Sequence, residues 1–190
     1  AMLVIHTNQG LTSLYSKFIL SEKEVLIQTK HPFTHYFLRK EFARTSDSDV
    51  HYQYIVDTEG DPYKEDLIKI LSVYNESGSE MYLDDIEQSE SLFTPQFDCL
   101  QITGVHSEQL FSIIYQARHK EITGSDPCQE IHIPLFFEEA LQSYIAGKVL
   151  SHMNGQEHTA KGNEYTAYYN MICMDAESKD LVKTSKSTTN

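Results

Sequence analysis

Pro134 divides this chain into two patterns of different period, and that change is the strongest constraint on its fold. Before it, apolar residues gather in short β-branched or aromatic runs at 24–30 (EVLIQTK), 52–56, 68–74, 99–103 and 110–118 (LFSIIYQAR). After it, Phe137, Leu141, Tyr144, Ile145 and Lys148 recur at helical spacing and make one face that ends in an aliphatic stem. Proline suits a first helical position, because its φ is already near the helical value and its missing N–H would have no partner there. Glu138 and Glu139 follow it, where carboxylates favour the positive end of the helix dipole. Asn154-Gly155 breaks this helix, and a second is expected from about Gln156, packing through a face on or near Ala160, Ala167, Tyr168, Met171 and Met174.

The fold class that follows is α+β, in one domain. A strand-rich region over 1–125, either a β-sheet or a sandwich, precedes an antiparallel helical hairpin over 134–180. Asn75-Glu76-Ser77-Gly78 reads as a hairpin loop between strands at 68–74 and 81–83. Residues 36–42 fit a strand or a short helix, and 11–20 are equally open. Residues 84–90, acidic and poor in apolar side chains, read as loop. Beyond Leu181-Val182 the chain runs KTSKSTTN, polar and aperiodic, which predicts a flexible arm.

A 190-residue chain can bury enough surface to fold without metals or disulfides. Its twenty-eight acidic and fifteen basic residues give a net charge of −13, which disfavours both duplex phosphates and anionic membranes. The excess is local: residues 47–98 hold fourteen acidic residues against two lysines. Such a block can be solvated loop surface, a face for a basic partner, or the lining of a passage through which DNA slides. No apolar run reaches the roughly 20 residues that cross a bilayer. Residues 2–5 are too short for a signal-peptide core, and Ala1 reads as a cloning remnant. Cys99, Cys128 and Cys173 are odd in number and lack CxxC spacing, which suits buried thiols in a reducing compartment.

Phosphate-binding glycine loops, nucleophile elbows and HExxH motifs are absent. His31 and His35 form an HxxxH interrupted by Pro32, with no third ligand and no general base. Cys128, His132 and His119 are scattered, and His152 and His158 flank the helical turn, where histidines more often cap carbonyls or face solvent than ligate metal. Asp47 and Asp49, or Asp84 and Asp85, are loop acids of a common kind. Cys173, among Met171, Ile172 and Met174, reads as core. An enzyme has no constellation to stand on here, and no cofactor or metal is expected.

The run SIIYQAR (112–118), then ITGSDP, then IHIP (131–134), then FFEEALQSYIAGKVLSHM, followed by the Ala- and Tyr-rich AKGNEYTAYYNM, resembles the head-to-tail adaptor (connector) proteins of tailed bacteriophages. The likeness covers roughly residues 109–182, and HPFTHYFLRKEF (31–42) is more loosely similar to adaptors of short-tailed phages. It implies a non-enzymatic virion protein at the head–tail junction, assembled in the host cytoplasm. It implies a homo-oligomeric ring, commonly twelve-fold, whose partners are the portal protein and a tail tube or nozzle protein. DNA meets such a ring only as the passing genome, and no membrane is involved. Carried onto this chain, Leu181, Val182, Lys183, Thr184, Ser185 and Lys186 become a portal-docking arm. Phe137, Leu141, Tyr144 and Lys148 become an inter-subunit helix face, and Asp84, Asp85 and Glu87 an acidic channel lining. A more distal tail-completion protein, and an acidic interaction protein such as a DNA mimic, are the alternatives.

Overall fold

A computed structural model describes residues 2–103, 108–125, 129–153 and 155–185. The chain is α+β and resolves into two compact units, one formed by Ala1–Ser21 with Arg118–Asn190, the other by Glu22–Ala117.

The second unit holds the strands. β1 (Glu22–Gln28), β3 (Ile55–Val56), β4 (Leu67–Tyr74) and β7 (Leu110–Ala117) form an antiparallel sheet in the order β3-β1-β7-β4. β2 (His35–Phe37), β5 (Phe93–Gln96) and β6 (Cys99–Gln101) form a second antiparallel sheet, ordered β2-β6-β5. β1 and β7 stay in register from Glu22↔Gln116 to Gln28↔Leu110. On β7 the alternation of Phe111, Ile113, Tyr115 and Ala117 turns one face into the core, beside Ile27, Val73 and Leu100. β5 carries Pro95 at the edge of its sheet, where a missing N–H breaks no ladder.

Tyrosines replace the absent tryptophan in this core, and their hydroxyls are anchored on backbone. Tyr54 donates to the Phe37 carbonyl at 2.9 Å, Tyr36 to that of Phe33 at 3.0 Å, and Tyr63 to that of Leu38 at 3.1 Å. Tyr115 donates to Asp66 at 2.9 Å, and Lys23 pairs with the same carboxylate. Asp57 accepts from the Thr45 amide at 3.0 Å, the Thr45 hydroxyl at 2.6 Å and the Tyr63 amide at 2.9 Å. Burial works against its charged form, but these bonds outweigh that and hold its pKa below the ordinary carboxylate value.

The other unit is helical: α1 (Met2–Lys17), a 3-10 turn at Leu135–Phe137, α2 (Glu138–Ser151) and α3 (Gln156–Ser178). α2 and α3 make the expected antiparallel hairpin, with Gly155 at φ 128° just before α3. Their approach is set by two glycines. A Cβ on Gly147 would sit 3.1 Å from the Gly162 carbonyl oxygen, and one on Gly162 would sit 3.1 Å from that of Gly147. α1 packs on α2 in the same way, since a Cβ on Gly10 would lie 2.6 Å from Leu141. Phe18 and Phe137 meet with ring centroids 4.7 Å apart, and Tyr169 bonds Ser13 through its hydroxyl at 2.7 Å.

Four expectations are corrected. Residues 2–17 form a helix, although the chain before Ile122 reads mainly as strands, because Leu11, Leu14 and Tyr15 bury one helical face. The packed face of α3 is Gly162, Tyr169, Cys173 and Ala176, whereas Ala160, Ala167, Tyr168, Met171 and Met174 are exposed. Residues 81–83 form no strand; the hairpin continues through a Tyr74–Glu80 bridge and bonds from the Asn75 amide to the Ser79 carbonyl and from the Met81 amide to the Val73 carbonyl. Pro134 stands extended before the 3-10 turn, with ψ 142°, and so caps it from outside. The 36–42 stretch divides between both readings, as β2 and then a 3-10 turn at Lys40–Phe42.

Candidate assembly surfaces

The residues read as an inter-subunit face lie on α2, but the packing divides them. Phe137 and Leu141 are buried against α1 and its following residues, so their apolar surface is already used within the chain. Tyr144 and Lys148 remain at the surface, with the Lys148 ammonium 5.4 Å from the Tyr144 ring centroid. Together with Ile5, Asn8, Thr12 and Glu121 they line an open groove of about 560 Å³.

The larger apolar surface is one that the periodicity assigned to the core. Met171 and Met174 on α3 are 56% and 69% exposed, and Tyr168 lies beside them. The Tyr168 hydroxyl donates to Glu139 at 2.9 Å, and that bond raises its pKa. On α1, Met2, Leu3 and Ile5 are also exposed, and Lys17 is the only charged residue of that helix. The sequence signal for the α3 seam is Gly162: a side chain at that position would meet the Gly147 carbonyl oxygen, so the packed face runs through Gly162 and leaves the methionines outward.

The arm is engaged over its described part. α3 ends with Asp180 in the left-handed region, φ 49°, while the Leu181 amide bonds back to Ala176 at 3.1 Å and that of Asp180 to Glu177 at 3.2 Å. This is a Schellman closure with aspartate in the place that glycine usually takes. Thr184 then bridges Phe18 in antiparallel sense, with the Ile19 amide on the Lys183 carbonyl at 2.9 Å and the Ser185 amide on the Lys17 carbonyl at 3.0 Å. Over 181–185 the backbone therefore has partners that the polar sequence does not announce. Lys186 lies outside the described residues.

In the acidic block, Asp84 and Asp85 are occupied with their own loop. Asp84, at φ 54°, accepts from the Thr94 amide at 2.7 Å and from its hydroxyl, and Asp85 accepts from the Glu87 amide at 2.9 Å. Glu87 is exposed. Asp98, 7% exposed, is paired through one oxygen with Arg39 at 2.9 Å.

Among the described residues no three His, Cys, Asp or Glu side chains gather as a metal site. Cys128 and Asn154 lie outside the described residues. His152 caps the Lys148 carbonyl at 2.7 Å and its ring lies 5.3 Å from that of the buried His6. Cys173 is buried beside Tyr169, and burial pushes its thiol pKa up, so it is held in the unreactive form. Among the described residues no helix is long and apolar enough to cross a membrane. No family model matches this chain, and no curated protein matches it in sequence.

Proposed function

We propose that this chain is a non-enzymatic head-to-tail adaptor of a tailed phage, a ring component that joins the portal to the tail tube or nozzle and lets the genome pass. The observation that carries the reading is a division of surface. The helical unit is almost neutral and leaves apolar side chains of α1 and α3 uncovered, while the strand unit holds eighteen acidic residues against seven basic ones. Uncovered apolar helix faces suit subunit contacts, and an acidic surface suits passing DNA, which it does not retain. The contact face then shifts from Phe137 and Leu141, which are buried, toward Tyr144, Lys148, Met171 and Met174.

The acidic-mimic alternative draws less support, because Asp84 and Asp85 turn their carboxylates to loop amides. Co-sedimentation with purified portal rings tests the proposal, comparing the intact chain with one ending at Val182. Binding by the intact chain is expected. Absence of binding by either form well above micromolar concentration would overturn it.

A further inference from the structure

The pairing of residues 183–185 with 17–19 has the features of an exchangeable strand. The receiving edge is fixed: Phe18 is 2% exposed and packs on Phe137, and Ile19 is buried. The incoming segment is peripheral. Leu181 is 49% exposed, Lys183 is exposed, and the antiparallel contact includes the Phe18–Thr184 bridge and the backbone bonds of Ile19 and Ser185. Beside it lies a cavity of about 530 Å³, walled by Lys17, Phe18, Cys173, Met174, Thr184 and Ser185. The segment also leaves its helix through a non-glycine residue in the left-handed region, Asp180. A side chain there costs conformational energy that a rotated hinge removes.

The geometry points to strand exchange between copies: residues 183–185 of one chain leave their own Lys17–Phe18–Ile19 edge and occupy the same edge of a second copy. This rests on the ring reading above and names how the copies are tied. Every copy offers an identical edge and an identical strand, so exchange conserves the bonds between 17–19 and 183–185. The balance is then set by concentration and by the hinge. A strand closed on its own chain keeps the free subunit from pairing early, and closure on a neighbour links successive subunits head to tail.

The test uses the full chain with Lys17→Cys and Ser185→Cys, which stand opposite each other in this register, and Cys128→Ser to remove one native thiol. Equal amounts of unlabelled and 15N-labelled chains are mixed, oxidised mildly and digested, and the linked fragment is weighed. In dilute solution both halves of the link carry the same label. In the larger species that form on concentration, about half of the links carry mixed labels. Same-label links alone in the larger species, no larger species, or no link at all would each overturn the proposal. One further variant guards against misfolding of the cysteine pair. Asp180→Pro, which cannot adopt φ 49°, lowers the concentration at which larger species form by about tenfold. An unchanged threshold would also overturn the proposal. Portal rings are absent from these measurements, so a failed portal interaction and a failed exchange are read separately.

Discussion

The two units are nearly equal in length and opposite in how they use apolar residues. Among the described residues, the strand unit buries eighteen hydrophobic side chains and leaves six large ones exposed. The helical unit buries eleven and leaves eleven exposed. Charge follows the inverse division, with a net −11 on the strand unit and −2 on the helical one. A unit that seals its core and charges its surface is suited to standing in solvent. One that holds its helices together through glycines and turns methionines outward has apolar surface left for a partner.

The sharpest way to break this contrast is to open the sealed core. Ile113→Ala on the central strand β7 removes a fully buried side chain and lowers stability by about 2–5 kcal/mol in urea unfolding followed by far-UV circular dichroism. Asp57→Ala removes the acceptor of three hydrogen bonds and costs about 1.5–3 kcal/mol at neutral pH. The Asp57 pKa is depressed on folding, so its contribution is complete above the ordinary carboxylate pKa and fades as pH falls through the lower folded value. The difference between wild type and variant should therefore shrink in strong acid, as thermal melts across a pH series would show. Gly162→Ala places a methyl 3.1 Å from the Gly147 carbonyl oxygen and costs about 1–3 kcal/mol, with the loss read in the helical signal. Met171→Ser with Met174→Ser changes stability by about 0.5 kcal/mol or less. The same pair lowers self-association in light scattering, which separates a partner surface from a core.

What the sequence made legible depended on how each element is stabilised. β1 and β7 were readable because a strand packed through Val25, Ile27, Phe111 and Ile113 must show those residues at period two. α2 was readable from its apolar spacing and its Glu138-Glu139 start. α1 was not, because MLVIHTNQG mixes β-branched residues with glycine and has no acid in its first turn. Its helix is stabilised by tertiary contacts of Gly10, Leu11 and Leu14. The packed face of α3 is hidden for a related reason: it is set by the close approach of Gly147 and Gly162, and glycine carries no apolar signal for a periodicity to register. The candidate surfaces divided likewise. Tyr144 and Lys148 part from Phe137 and Leu141, with which the spacing groups them, and the Met171 and Met174 surface and the 183–185 pairing depend on contacts distant in sequence.

The helical unit is built from both ends of the chain with the strand unit inserted between them. On a ribosome moving at about 5–20 residues per second, α1 therefore waits on the order of ten to thirty seconds before α2 and α3 emerge to cover Leu11 and Leu14. The strand unit can close in that interval. During it, α1 is a nascent apolar segment without its partners, and a chaperone requirement in expression should trace to this helix more than to the sheets.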